Sequence, residues 1–190
     1  MNIFFLDYNP SKAAKYHCDK HVVKMILETA QLLSTTHRVL NGTQHISKSE
    51  KGRKKTTYVH PNEHFDRTLY QATHINHPCA QWLRESSYNY DWTFVLFKDL
   101  CKEYTLRYGK THLTYTKLID ILQNRPLYKN SYPGMTRPAL AMPDECIIDS
   151  DPVYCYRSYY IQHKAEIAIW GKGTMEPPLW FSQGLMKLKQ

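Results

Sequence analysis

The chain has 190 residues, with 25 Lys and Arg against 17 Asp and Glu, a formal charge of +8 at pH 7, 15 Tyr and 4 Trp. One domain with a real core fits that length, and a cationic, ring-rich chain suits phosphate-bearing partners, since cations neutralise phosphate and rings stack on bases. Five cysteines without a CxxC pair exclude a disulfide framework or zinc ribbon, NIFFLD is too short for a signal peptide, and no stretch has the length of a membrane span; a reducing cytoplasm is expected.

Ile3 to Leu6 form an apolar run closed by Asp7 and Asn9-Pro10, which predicts a short buried strand or extended segment. A helix is predicted from Ser11 to about Leu40, stopped by Asn41-Gly42, with Val22, Ile26, Ala30, Leu33 and Leu40 on its apolar face. Residues 43–63 read as a basic polar loop carrying Lys48, Lys51, Arg53, Lys54 and Lys55 against Glu50. A short helix follows from Asp66 to about Ile75, and Asn76-His77-Pro78 marks a turn. One long helix is predicted from Cys79 to Tyr108, stopped by Gly109, and another from Thr114 to about Gln123. Five prolines, at 126, 133, 138, 143 and 152, make residues 125–152 a loop. Asp151 and Pro152 open a last main helix ending near Trp170, and residues 171–190 form a tail whose Trp180 and Phe181 dock on the bundle. The expected fold is all-α: a single domain over 1–190, a bundle of about five helices with a short extended N-terminal segment and two long loops.

On the first long helix His17, His21, Lys24, Glu28, Gln31, Thr35 and Arg38 recur every three or four residues and share one face. Two imidazoles one turn apart would suit a metal, but a third ligand is missing and Lys20 and Lys24 repel a cation, so no metal and no cofactor is expected. Around an anion the same groups make sense: His17 and His21 as acid and base, Glu28 orienting them, Lys24 and Arg38 holding phosphate. Further phosphate-binding candidates are His77 and Arg84 near a helix N-terminus, Arg107, Lys110 and His112 at a helix end, and Arg157 with Lys164 on the last helix. An exposed polar face with pairs such as Lys24–Glu28 explains the row equally simply. P-loop, dinucleotide, HExxH and zinc-deaminase signatures are absent.

The NIFFLDYNPSKAAKYHCDKHVVKMILETAQLL block, with THINHPCAQWLR and KEYTLRYGK, resembles a family of tailed-bacteriophage proteins without an assigned mechanism. That resemblance implies a phage origin and the cytoplasm of an infected bacterium. The basic helical chain, its Asn76-His77-Pro78 turn and its PPLWF tail also resemble, more loosely, the small helical pyrimidine-dimer DNA glycosylases of phages. Such enzymes use the amine of a processed N-terminus as nucleophile with a Glu on the first long helix, a role that falls by position on Glu28. The second residue here is Asn2, before which removal of Met1 is unfavourable.

Three functions stay open: metal-independent phosphodiester hydrolysis in a basic His-rich cleft, non-catalytic sequestration of a nucleotide or nucleic acid, and dimer-specific DNA glycosylase activity. The expected partner is nucleic acid or nucleotide, with no membrane.

Overall fold

The computed structural model describes residues 1–48, 50, 52–173 and 176–188. Ile3, Phe5 and Leu6 are fully buried and Phe4 nearly so. The segment joins no strand, its backbone being satisfied by other groups. Asn2 Oδ1 accepts from the N–H of Ile3 and Phe4, Leu6 N–H donates to Phe4 O, and Leu6 O accepts from Arg157 Nε. Phe4 holds φ of 42°, a left-handed conformation that a bulky residue keeps only where its surroundings fix it.

The long first helix is two helices. α1 spans Pro10–Tyr16, capped by Asn9 rather than Ser11, and α2 spans Asp19–Asn41. The chain is extended at His17 and Cys18. Tertiary partners hold this break open: Arg107 donates to the carbonyls of Lys15 and His17, and Cys18 N–H donates to the Tyr160 hydroxyl. The predicted stop at the far end stands, since α2 closes at Gly42.

Residues 43–63 are not a loop. β1 (Thr43–Lys48) pairs antiparallel with β2 (Lys54–Val59) in a solvent-exposed hairpin, and His60 to Asn62 lead into α3 (Glu63–Thr68), a shorter and earlier helix than the one expected over 66–75. Lys51, counted in the basic stretch above, lies outside the described residues.

The predicted 79–108 helix is also divided, into α4 (Pro78–Glu85) and α5 (Ser87–Tyr108). Ser86 at the joint turns extended, its hydroxyl accepting from Tyr88 N–H and donating to carbonyls of Tyr132 and Gly134. Gly109, at φ of 66°, ends α5 as predicted, its left-handed backbone costing a glycine little. α6 (Leu113–Leu122) follows, then the proline-rich stretch, irregular apart from a 3₁₀ turn at Asp144–Cys146. α7 (Pro152–His163) ends earlier than expected, and the tail forms α8 (Leu179–Leu188) with Phe181 buried. The described fold is thus mostly helical, with eight α-helices where about five were expected and one hairpin beside them. α5 is the central helix, packed chiefly against α1 and α2, and the N-terminal segment lies in the same core.

Candidate active site

The middle of the α2 row opens on a cavity of about 350 Å³. Lys20, His21, Lys24 and Glu28 line one side; Met1, Asn2 and Phe4 come from the N-terminal segment; Ala141, Tyr159, Lys164 and Ile167 complete it. Spacing of three and four residues puts the α2 groups on one face, and the core-bound segment 3–6 fixes the N-terminus against them.

Glu28 is the hub. Its Oε2 accepts from Asn2 N–H at 2.9 Å and lies 3.9 Å from the Met1 amine, while its Oε1 faces Lys24 Nζ at 3.3 Å. The Met1 side chain is 3% exposed and the Lys24 side chain 66% exposed, so the α-amine is held in place and the lysine swings in solvent. Asn2 Nδ2 donates to Ala141 O at 2.7 Å, fastening the proline-rich stretch across the N-terminus. The 74–78 turn lies within electrostatic reach. Burial lowers the pKa of His77, the positive N-terminal amine and His74 lower it further, and Glu28 opposes them.

The floor is aromatic. Phe4 stacks on His21 at 4.6 Å and on Tyr159 at 5.7 Å between centroids, and Lys164 Nζ sits 4.6 Å over the Tyr159 ring. His21 Nδ1 lies 2.7 Å from the Tyr160 hydroxyl, which also accepts from Cys18 N–H. Burial first, then the charges of His17, Lys24 and Lys164, push the His21 pKa down to about 3. His21 is therefore neutral at physiological pH.

The other predicted residues lie elsewhere. His17 is fully buried, its Nδ1 donating to Ala13 O, and burial lowers its pKa to about 4. It forms no part of the cavity wall. Arg38 is fully buried with its donors spent on Asp66 Oδ1 and the carbonyls of Tyr58, Asp66, Leu69 and Tyr70, which leaves none for a phosphate. Arg107 is likewise spent on Glu103, Asp19 and two carbonyls. Arg84 ties the 74–78 turn to α4 through the carbonyls of Ile75 and Ala80. His77 and His112 are N-caps of α4 and α6, Nδ1 of each accepting a backbone N–H. Arg157 bonds Leu6 O and Asp7, and lies over the rings of Tyr16 and Trp180. Lys110 is exposed and away from the cavity. The structure thus joins His21, Lys24, Glu28 and Lys164 of the predicted set. Phe4 and Tyr159 were missed; in sequence they look like core aromatics, and no local signal sets them apart.

The buried imidazoles predict a pH dependence of stability. Burial holds the folded pKa values of His17 and His37 at about 4 and that of His21 at about 3, below the unfolded value of 6.5. Between these limits the unfolded chain binds more protons, so stability is full above pH 6.5 and falls as pH drops toward 4. Melting temperature should decline from pH 7 to pH 5, less steeply in a His17→Gln variant. A flat profile over that range would mean that these rings are not buried neutral.

The site thus sets an α-amine 3.9 Å from a carboxylate, beside a cavity lined by three lysines with an aromatic floor. Residues 1–116 match the pyrimidine dimer DNA glycosylase family, and the chain belongs to that family. No curated protein and no solved structure matches the chain significantly. The matched span contains α1 to α5 and Glu28; Ala141, Tyr159 and Lys164 of the cavity lie beyond it.

Proposed function

We propose that the protein is a DNA glycosylase for pyrimidine dimers, acting through an amine held by Glu28. The observation that carries this reading is the carboxylate oxygen shared by the Asn2 N–H at 2.9 Å and the Met1 amine at 3.9 Å. If Met1 is retained, its α-amine, 3.9 Å from Glu28, is the nucleophile; Lys24 Nζ is nearer at 3.3 Å but stands mostly in solvent. If Met1 is removed, the Asn2 nitrogen, already on Glu28, becomes that amine.

The free amine attacks C1′ of the damaged nucleotide with its lone pair. The N-glycosidic bond breaks and its electrons leave with the base. The C1′–O4′ bond then breaks, its electrons stay on O4′, and of the nitrogen's two protons one goes to Glu28 and the other to O4′, giving an imine that water hydrolyses. Glu28 takes a proton from the amine and stabilises the cation that develops. Lys20, Lys24 and Lys164 neutralise phosphates beside the target, and the Phe4–Tyr159 platform offers a face for an unstacked base. Phosphodiester cleavage by a His17–His21 pair has less support, because only one imidazole lines the cavity.

Borohydride reduces an imine to a stable amine, so trapping on dimer-containing duplex should yield a covalent protein–DNA adduct. Peptide mapping is expected to place it on the N-terminal residue, with intact mass showing whether that is Met1 or Asn2. An adduct on Lys24 would move the nucleophile. No adduct, with DNA recovered intact, would leave a sequestering protein instead.

A further inference from the structure

The β1–β2 hairpin has no packing role that explains its composition. Every β1 residue is exposed, and so are Lys54, Lys55 and Val59 of β2. The register sets Lys48 directly opposite Lys54, and like charges in that position destabilise a ladder. Among the described residues neither of them, nor Lys55, forms an ion pair. Ile46, 62% exposed, falls on the same face as Lys48 and Lys54.

The base of this arm is rigid. Arg38 on α2 donates to Tyr58 O and to Asp66, and Asp66 accepts in turn from His60 N–H. A Cβ at Gly42 would stand 2.4 Å from Arg38 O and 3.0 Å from Val59 O, so the chain can leave α2 this closely only as glycine. The helix that carries Glu28 therefore also holds the hairpin at a fixed distance. Asn41 ends α2 thirteen residues after Glu28, which puts the base of the hairpin about 20 Å from Glu28 along the helix, and Lys48 and Lys54 lie at the hairpin's far end.

We infer that the hairpin is a second contact with duplex DNA, its lysines seated on phosphates beyond the end of α2, away from the nucleotide at Glu28. The inference takes its partner from the glycosylase reading. A two-stranded ribbon fits the major groove, where Ile46 would meet base edges while Lys48, Lys54 and Lys55 reach the backbone. The unpaired like charges that strain the free hairpin are neutralised in that complex.

The test is binding to undamaged duplex across a salt titration, which needs no turnover. Changing Lys48, Lys54 and Lys55 together to Gln should flatten the log–log salt slope by about 2 to 3 units, about 0.9 per lost phosphate contact. The matching triple Arg variant should restore it. Dimer-containing duplexes that end short of the hairpin should show no difference between wild type and the Gln variant. An unchanged slope on long duplex, or a loss confined to single strands, overturns the clamp even where borohydride trapping succeeds. Wild type that fails to bind duplex at all would instead overturn the glycosylase reading.

Discussion

Glu28→Gln is expected to lower single-turnover cleavage of the N-glycosidic bond at the dimer by about 10²–10⁴-fold, the range that a positioned proton-transfer group supplies. Glutamine keeps the shape of the side chain and an oxygen to accept from Asn2 N–H. It cannot take a proton from the amine or balance the cation that forms at C1′. Affinity for dimer-containing duplex should stay within a few-fold, because Lys20, Lys24 and Lys164 are untouched. Melting temperature separates this role from a structural one, since Glu28 is partly exposed and its isostere preserves the packing. A variant that folds, binds and still turns over near the wild-type rate would remove Glu28 from the chemistry.

The α2 row was legible because helical spacing alone brings His21, Lys24 and Glu28 to one face. Its ends were not. The break at His17 and Cys18 depends on Arg107 and Tyr160, 90 and 142 residues away along the chain, and a local pattern holds no trace of them. Arg38 and Arg107 illustrate the same limit. A cation on a mixed face reads alike whether it will hold a phosphate or close a buried network. Asp66, which claims Arg38, lies 28 residues away, and Asp19, which shares Arg107 with the neighbouring Glu103, lies 88 away.

The hairpin failed for a different reason. A strand is read from alternation between an apolar and a polar face, and TQHISK and KKTTYV expose both faces. What remained were weaker signs: the β-branched Thr56, Thr57 and Val59, and Gly52 in the turn. The α4–α5 joint escaped because helical spacing runs unbroken past Ser86; its hydroxyl caps Tyr88 N–H and is fixed by the carbonyls of Tyr132 and Gly134, far along the chain. Within the cavity the charged groups announced themselves. The apolar floor did not, since Phe4 lies in a run that is core by every local criterion.

Arg107→Met should cost about 3–5 kcal/mol of stability, the range for stripping one partner from a buried ion pair. Arg107 gives Nε and one terminal nitrogen to Glu103, at 3.2 and 3.0 Å, and the other to Asp19 and His17 O, at 3.2 and 2.8 Å; Lys15 O accepts as well. Asp19 in turn accepts from Gly171 and Lys172 N–H, so one guanidinium joins the end of α1, the start of α2, α5 and the turn after α7. Methionine fills comparable space but leaves two buried carboxylates and two carbonyls without their donor. At about 2–4 °C per kcal/mol for a chain of this size, the melting temperature should fall by about 6–20 °C. Arg107→Lys should fall between, because an ammonium keeps the charge but not the forked geometry. The phosphate-binding role read from the sequence makes the opposite forecast: weaker DNA binding with melting temperature unchanged. Thermal melts and duplex titrations of the same variant decide between them, and a stable protein with impaired binding would show that Arg107 faces the DNA after all.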